Sequence, residues 1–256
     1  MVKILSMNLR LFISPFILAL SVALFTWCYV APNHIGWIVL ALAFIYALAA
    51  QGLDTDGNDW WRFAVTPFLL GASTLIYCLL VPQGISTILL LAVVVALEFL
   101  YWQYALAYTS HIRSYIPFSL ERLCFALNFL TVFFLAAGAY GLKTFLDVPS
   151  WFIGIVFCFL IFVILWQWLW NSRLALAQGW RAALIVSLVT LEIFLVAGFF
   201  PLDFRILGFL VVTVYYIAVS LISQQQGGNA DTRRFQILAG LIIITWLAVF
   251  LTARWL

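Results

Sequence analysis

The chain has 256 residues, of which 67% are hydrophobic and 8% charged, with a formal net charge of +3. A globular domain carries about 25% charged residues, so the composition excludes a soluble fold and places the chain in a lipid bilayer. So small a positive excess calls for no nucleic-acid partner, and polar connections of about a dozen residues at most leave no room for a separate soluble domain.

Runs of about 20 apolar residues predict an all-α polytopic bundle, one integral domain over 1–256, with nine spans near 10–31, 35–51, 62–82, 85–108, 115–140, 150–170, 180–200, 202–223 and 234–254. The first opens after Lys3 and Arg10 and outruns a signal-peptide core, so it reads as an uncleaved anchor. Turn residues agree with the cuts: Pro32-Asn33, Gly52 to Asn58, Pro82-Gln83-Gly84, Pro149-Ser150, Pro201, and Gln224 to Asn229. Reading differently around Phe199-Phe200-Pro201 gives eight or ten spans instead. Pro15 and Pro117 fall in first turns on these boundaries, and Pro67 one turn into its helix, where proline is tolerated.

Alternate connections collect Lys3, Arg10, Arg62, Arg113, Arg122, Arg173, Arg181, Arg233 and Arg234 on one side, and Lys143, Arg205 and Arg254 on the other. Nine against three predicts a cytoplasmic N-terminus and an external C-terminus. Short loops throughout point to the cytoplasmic (inner) membrane. Trp60, Trp61, Tyr108, Trp151, Trp168, Trp170 and Trp255 stand at span ends, as an aromatic belt requires.

Several residue sets could carry chemistry. The loop Asp54-Thr55-Asp56-Gly57-Asn58-Asp59 lacks the closing glutamate of a calcium loop, since Val65 stands there. Asp56-Gly57, Arg62 and Gly71 follow the order of the CDP-alcohol phosphotransferase signature. The arginine is displaced by two positions, however, and the two downstream aspartates are Leu75 and Leu79, so the metal ligands and base are missing. His34 and His111 lie in turns, which rules out a haem pair within the bilayer for this chain alone. Cys28, Cys78, Cys124 and Cys158 share no short spacing and read as apolar fillers. No cofactor motif is present.

Glu98, in the fourth span, and Glu192, in the seventh, are carboxylates at mid-membrane depth. Each costs about 2.5 kcal/mol or more to insert, which marks a functional group by default; the alternative is a protonated acid bonded to a neighbouring helix. Glu121, Cys124, Asn128 and Thr131 form a polar stripe on the fifth span, and Thr213, Tyr216, Ser220 and Ser223 another on the eighth. Both should face inward, with Asn128 and Tyr216 deepest, as a ligand-lined seam or as ordinary interhelical bonding. Edge charges Glu121-Arg122, and Asp203 with Arg205, read as interfacial ion pairs. Leu97-Glu98-Phe99-Leu100 and Leu191-Glu192-Ile193-Phe194 lie three spans apart, the offset of an inverted repeat.

Three functions remain open. The first is a transporter or permease component for a small solute or lipid-linked substrate, with Glu98, Glu192, Asn128 and Tyr216 binding protons or ligand. The second is a non-catalytic subunit with membrane-protein partners. The third, less favoured, is an enzyme acting on a lipid head group through Asp54, Asp56 and Asp59 near Arg62 and His111.

Overall fold

A computed structural model describes residues 2–53, 60–109, 119–171 and 176–226 together with 240, 244, 246 and 247, and the side chains of 14–53, 60–109, 119–169, 179–222 and those last four. Among the described residues the secondary structure is helical throughout, with no strand. Eight helices follow one another: α1 (Val2–Val30), α2 (Ile35–Leu53), α3 (Trp61–Leu80), α4 (Ile85–Thr109), α5 (Ser119–Leu146), α6 (Ser150–Asn171), α7 (Leu176–Ala197) and α8 (Phe204–Gln226). Seven of them, α2 to α8, are long and apolar enough to cross a bilayer, and the described apolar part of α1 is the shorter Ser14–Val30. Helices suit that solvent because each satisfies its own backbone hydrogen bonds. The chain is therefore a multi-helix, lipid-embedded protein. Gly240, Ile244, Trp246 and Leu247 are helical within the expected ninth span, most of which lies outside the described residues, as do the Asp54–Asp59 loop, His111, Arg113 and Pro117.

The breaks follow the turn residues. Pro32 opens a single 3-10 turn, Pro32–His34, between α1 and α2, and α7 and α8 are separate helices with Pro201 between them. Asp203 is not half of an ion pair. Its carboxylate accepts the Arg205 backbone N–H at 2.8 Å, capping the α8 N-terminus, while the Arg205 guanidinium lies 5.4 Å from the centre of the Phe204 ring. Pro15 is not in a first turn either, because α1 begins at Val2 and carries the proline in its interior. α5 runs to Leu146, six residues past the expected end, and takes Lys143 into its last turn.

The chain divides into two compact units, Met1–Thr131 and Val132–Leu256, the boundary falling within α5. In the first unit α1 packs on α2 and α4, α2 on α3, and α3 on α4, closing a ring of four helices. Ile17, Leu24, Phe25, Leu42, Leu70, Val94 and Ala105 fill it. In the second unit α6 packs on α7 and α7 on α8. The Phe157, Phe194 and Tyr140 rings stack there, with successive centroids 4.5 Å apart. Trp168 is buried, so of the expected belt residues this one faces protein.

In the second unit two helices come close at Gly208, where an added Cβ would stand 2.8 Å from the Ala137 Cβ and 2.9 Å from its backbone nitrogen. Small residues let membrane helices gain dispersion contacts that water-driven burial does not supply there. Gly208→Ala is expected to lower stability by about 1–3 kcal/mol, read as a fall in the thermal midpoint. Ala137→Gly should not restore it, since backbone atoms obstruct as well; an unchanged midpoint in Gly208→Ala would refute the close approach.

Candidate functional site

Four helices of the first unit each place one group at a common buried point. The buried face of α4 runs Leu91, Val94, Val95, Glu98, Tyr101, Trp102 and Ala105, at the i, i+3, i+4, i+7 spacing of a single helix side. That phase turns Glu98 inward, to 1% exposure. On α2 the same rule aligns Ile38, Leu42, Tyr46 and Ala49, so the Tyr46 hydroxyl projects into the ring. Ser21 comes from α1 and Gly71 from α3.

Tyr46 donates to Glu98 Oε2 at 2.5 Å, and its hydroxyl lies 2.9 Å from Ser21 Oγ. A phenol has one hydrogen. With that hydrogen committed to Glu98, Ser21 must be the donor to Tyr46, giving a directed chain Ser21→Tyr46→Glu98. The other carboxyl oxygen, Oε1, is buried with no hydrogen-bond partner. It lies over the α3 backbone: a Cβ built on Gly71 would stand 3.0 Å from it, and 3.5 Å from Phe25 Cζ. Only glycine leaves that space. The Trp102 Nε1, one turn along α4 from Glu98, is likewise buried and unpartnered, and the Trp102 ring packs 5.9 Å from that of Tyr46.

No protein-family model, no curated protein and no solved structure matches this chain.

The other residues singled out from sequence fall as follows. Asn128 is buried in the first unit, where its Oδ1 accepts from Thr66 Oγ1 at 3.4 Å and its Nδ2 has no partner. Cys124 and Thr131 of its stripe are also buried and Glu121 is half-buried. Glu192 and Tyr216 belong to the second unit. Glu192 is exposed on α7, beside the exposed Leu188, Val189, Leu195 and Val196, and has no hydrogen-bond or ion-pair partner among the described residues. The two glutamates at matching places in the short repeat thus stand in opposite environments. Tyr216 is half-buried while its neighbour Tyr215 is buried.

Among the described residues, many intramembrane Ser and Thr hydroxyls are satisfied within their own helix. Thr74 donates to the Leu70 carbonyl, Thr131 to Leu127, Ser187 to Ala183, Thr190 to Val186 and Thr213 to Leu210, each at 2.7–2.8 Å. Such back-bonding is the ordinary state of Ser and Thr in an apolar helix, so Thr131 and Thr213 offer a ligand little. Thr213 also accepts from Trp246 Nε1 at 2.8 Å.

Sequence spacing kept the cysteines apart, yet Cys28 and Cys78 line one small cavity of about 90 Å³ with Gln83 and Thr87. All four cysteines are free thiols. Among the described residues no group of three or more His, Cys, Asp or Glu side chains could hold a metal ion. The exposed His34 ring lies tilted against that of Trp27, centroids 6.3 Å apart. Ser21, Tyr46 and Trp102 were invisible to motif reading, and Gly71 entered it only through the phosphotransferase comparison; helical phase linking Tyr46 to an inward α2 face is the signal that finds one of them.

The Gly71 contact separates obstruction from helix propensity. Alanine raises helix propensity by about 1 kcal/mol over glycine, but here its methyl would press on a carboxyl already held by Tyr46. Gly71→Ala is expected to lower the thermal midpoint in the native background and to be neutral or stabilising in a Glu98→Ala background. A loss of equal size in both would remove the glycine from the site.

Proposed function

We propose that the chain is a transporter or permease component in which Glu98 exchanges a proton or binds a cationic group of the cargo. The observation that supports this is a mid-membrane carboxyl with one oxygen held by the Ser21→Tyr46 chain and the other left without a partner. A structural acid would use both oxygens, since a buried unpaired polar atom costs about 1–3 kcal/mol. Intramembrane acids that keep an oxygen in reserve suit proton relays and cation sites. Asn128, with its own unpartnered amide nitrogen, is the second ligand-facing group of the first unit in this reading; Glu192 and Tyr216 are those of the second.

The reading takes the chain as one integral domain of nine spans, with its N-terminus in the cytoplasm of a cell whose inner membrane holds it. The distribution of cations over alternate connections supports that orientation. A C-terminal alkaline phosphatase fusion is then expected to be active and a C-terminal green fluorescent protein fusion dark. The reverse pattern would overturn the parity or the orientation.

A second reading, a subunit assembled with other membrane proteins, is favoured by Glu192. An exposed carboxyl amid apolar side chains is costly against lipid alone and would be relieved by a cationic or hydroxyl-bearing helix of a partner. One experiment separates the two. The pure chain is sealed into vesicles holding a pH-sensitive dye, a membrane potential is imposed, and mixed amino acids, sugars and nucleosides are supplied outside. Transport predicts solute-dependent acidification that Glu98→Gln slows at least tenfold, by analogy with the loss of a proton-transfer group, at an unchanged thermal midpoint. Equal rates in the mutant sink the role of Glu98. No acidification by the lone chain, with recovery when a stoichiometric partner is present, favours the subunit.

A further inference from the structure

One end of the second unit carries a cavity of about 300 Å³ that none of the preceding chemistry uses. It lies where the last turn of α5, the first turn of α6 and the last turn of α7 meet. Its walls are apolar, from Ile153, Phe194, Leu195 and Phe199, and its polar rim consists of Lys143, Tyr140 and Ser150.

The rim is only partly engaged. Tyr140 spends its hydrogen on the Phe194 carbonyl at 2.5 Å, closing the end of α7. Lys143 is exposed and, among the described residues, makes one long hydrogen bond, 3.5 Å to the Gly198 carbonyl, and no ion pair. An ammonium has three donors, so two remain for a ligand. A Cβ at Gly198 would stand 3.3 Å from the Leu195 carbonyl oxygen and in ordinary contact with Tyr140 Cε1 at 3.4 Å and Lys143 Nζ at 3.6 Å. Around that mouth stand exposed large apolar side chains, Phe145 at 60%, Leu146 at 65%, Trp151 at 68% and Phe199 at 88%. Aromatic residues at helix ends mark the depth of lipid head groups.

An apolar cleft with a single unneutralised cation at that depth matches a molecule with an anionic head and a hydrocarbon tail. We propose that this cavity binds one anionic phospholipid, its phosphate on the Lys143 ammonium and the start of an acyl chain against Ile153, Phe194 and Phe199. Lysine serves phosphate as a point charge. The volume is at the small end for ligand sites, which fits a head group and the beginning of one chain rather than a whole lipid. The site lies within the second unit and does not depend on the role given to Glu98.

Native mass spectrometry of the detergent-purified full chain tests it, after loading with phosphatidylglycerol, phosphatidylcholine, oleate or inorganic phosphate. The native chain is expected to retain one phosphatidylglycerol at least tenfold better than phosphatidylcholine. Lys143→Arg should keep that preference and Lys143→Gln abolish it; Ile153→Phe, which narrows the cleft and spares the cation, should weaken retention of the lipid. If Lys143 serves only to cap α7, Lys143→Gln lowers the thermal midpoint and leaves lipid retention unchanged, which overturns the proposal. Absence of a head-group preference in the native chain overturns it too, as does oleate or inorganic phosphate binding as well as phosphatidylglycerol.

Discussion

The hydrogen bond from Tyr46 to Glu98 joins α2 to α4 at the centre of the first unit, and the arrangement around it follows from the cost of a carboxyl in hydrocarbon. Glu98 turns inward, in phase with the buried face of α4. Its first oxygen needs a donor, which fixes Tyr46 and behind it Ser21. Its second oxygen needs room, which Gly71 supplies by having no side chain. Four helices are thereby registered by one polar group, where dispersion among leucines alone would tolerate a slip. Interhelical hydrogen bonds in membranes are worth only about 0.6 kcal/mol on average, so the bond acts more on specificity than on overall stability.

The second unit is held differently. Gly208 on Ala137 brings two helices to backbone contact, and the Phe157, Phe194 and Tyr140 stack forms an aromatic column beside it. The polar groups gather at its end, where Tyr140 and Lys143 take up carbonyls left by the finish of α7. Its single mid-span acid, Glu192, contributes nothing to this packing and is exposed. The two mid-span carboxyls thus stand in opposite surroundings. The buried one organises helices within a unit, while the exposed one is available to whatever lies beside the unit in the membrane.

Much of the fold was legible because hydrophobic length and proline punctuation act locally. The helices α2, α3, α4 and α6 end within two residues of the spans read from apolar runs, and Pro201 separates α7 from α8. The inward turn of Asn128 was also legible, since its polar stripe has helical period. Contacts between distant segments were not. Tyr46 sits among Leu42, Ala49 and Ala50 like any core aromatic, and its meaning comes from Glu98, which lies on another helix. Gly71 looks like a spare residue until Oε1 is placed over it. On α8 the expected polar stripe is buried at Thr213 and half-buried at Tyr216, while Val211, Tyr215 and Val219 are buried as well. Cys28 and Cys78, far apart in the chain, meet at one cavity for the same reason.

The Ser21, Tyr46, Gly71 and Glu98 cluster is the place where sequence expectation, burial and unspent hydrogen-bonding capacity coincide, and the transport reading stands on it. The most direct test of that cluster is a double-mutant cycle on unfolding free energy with Tyr46→Phe, Glu98→Met and the pair together. The account predicts that the two losses do not add, with a coupling of about 0.5–1.7 kcal/mol. Strict additivity would mean that the two side chains do not interact in the folded protein, and would contradict the account at its centre.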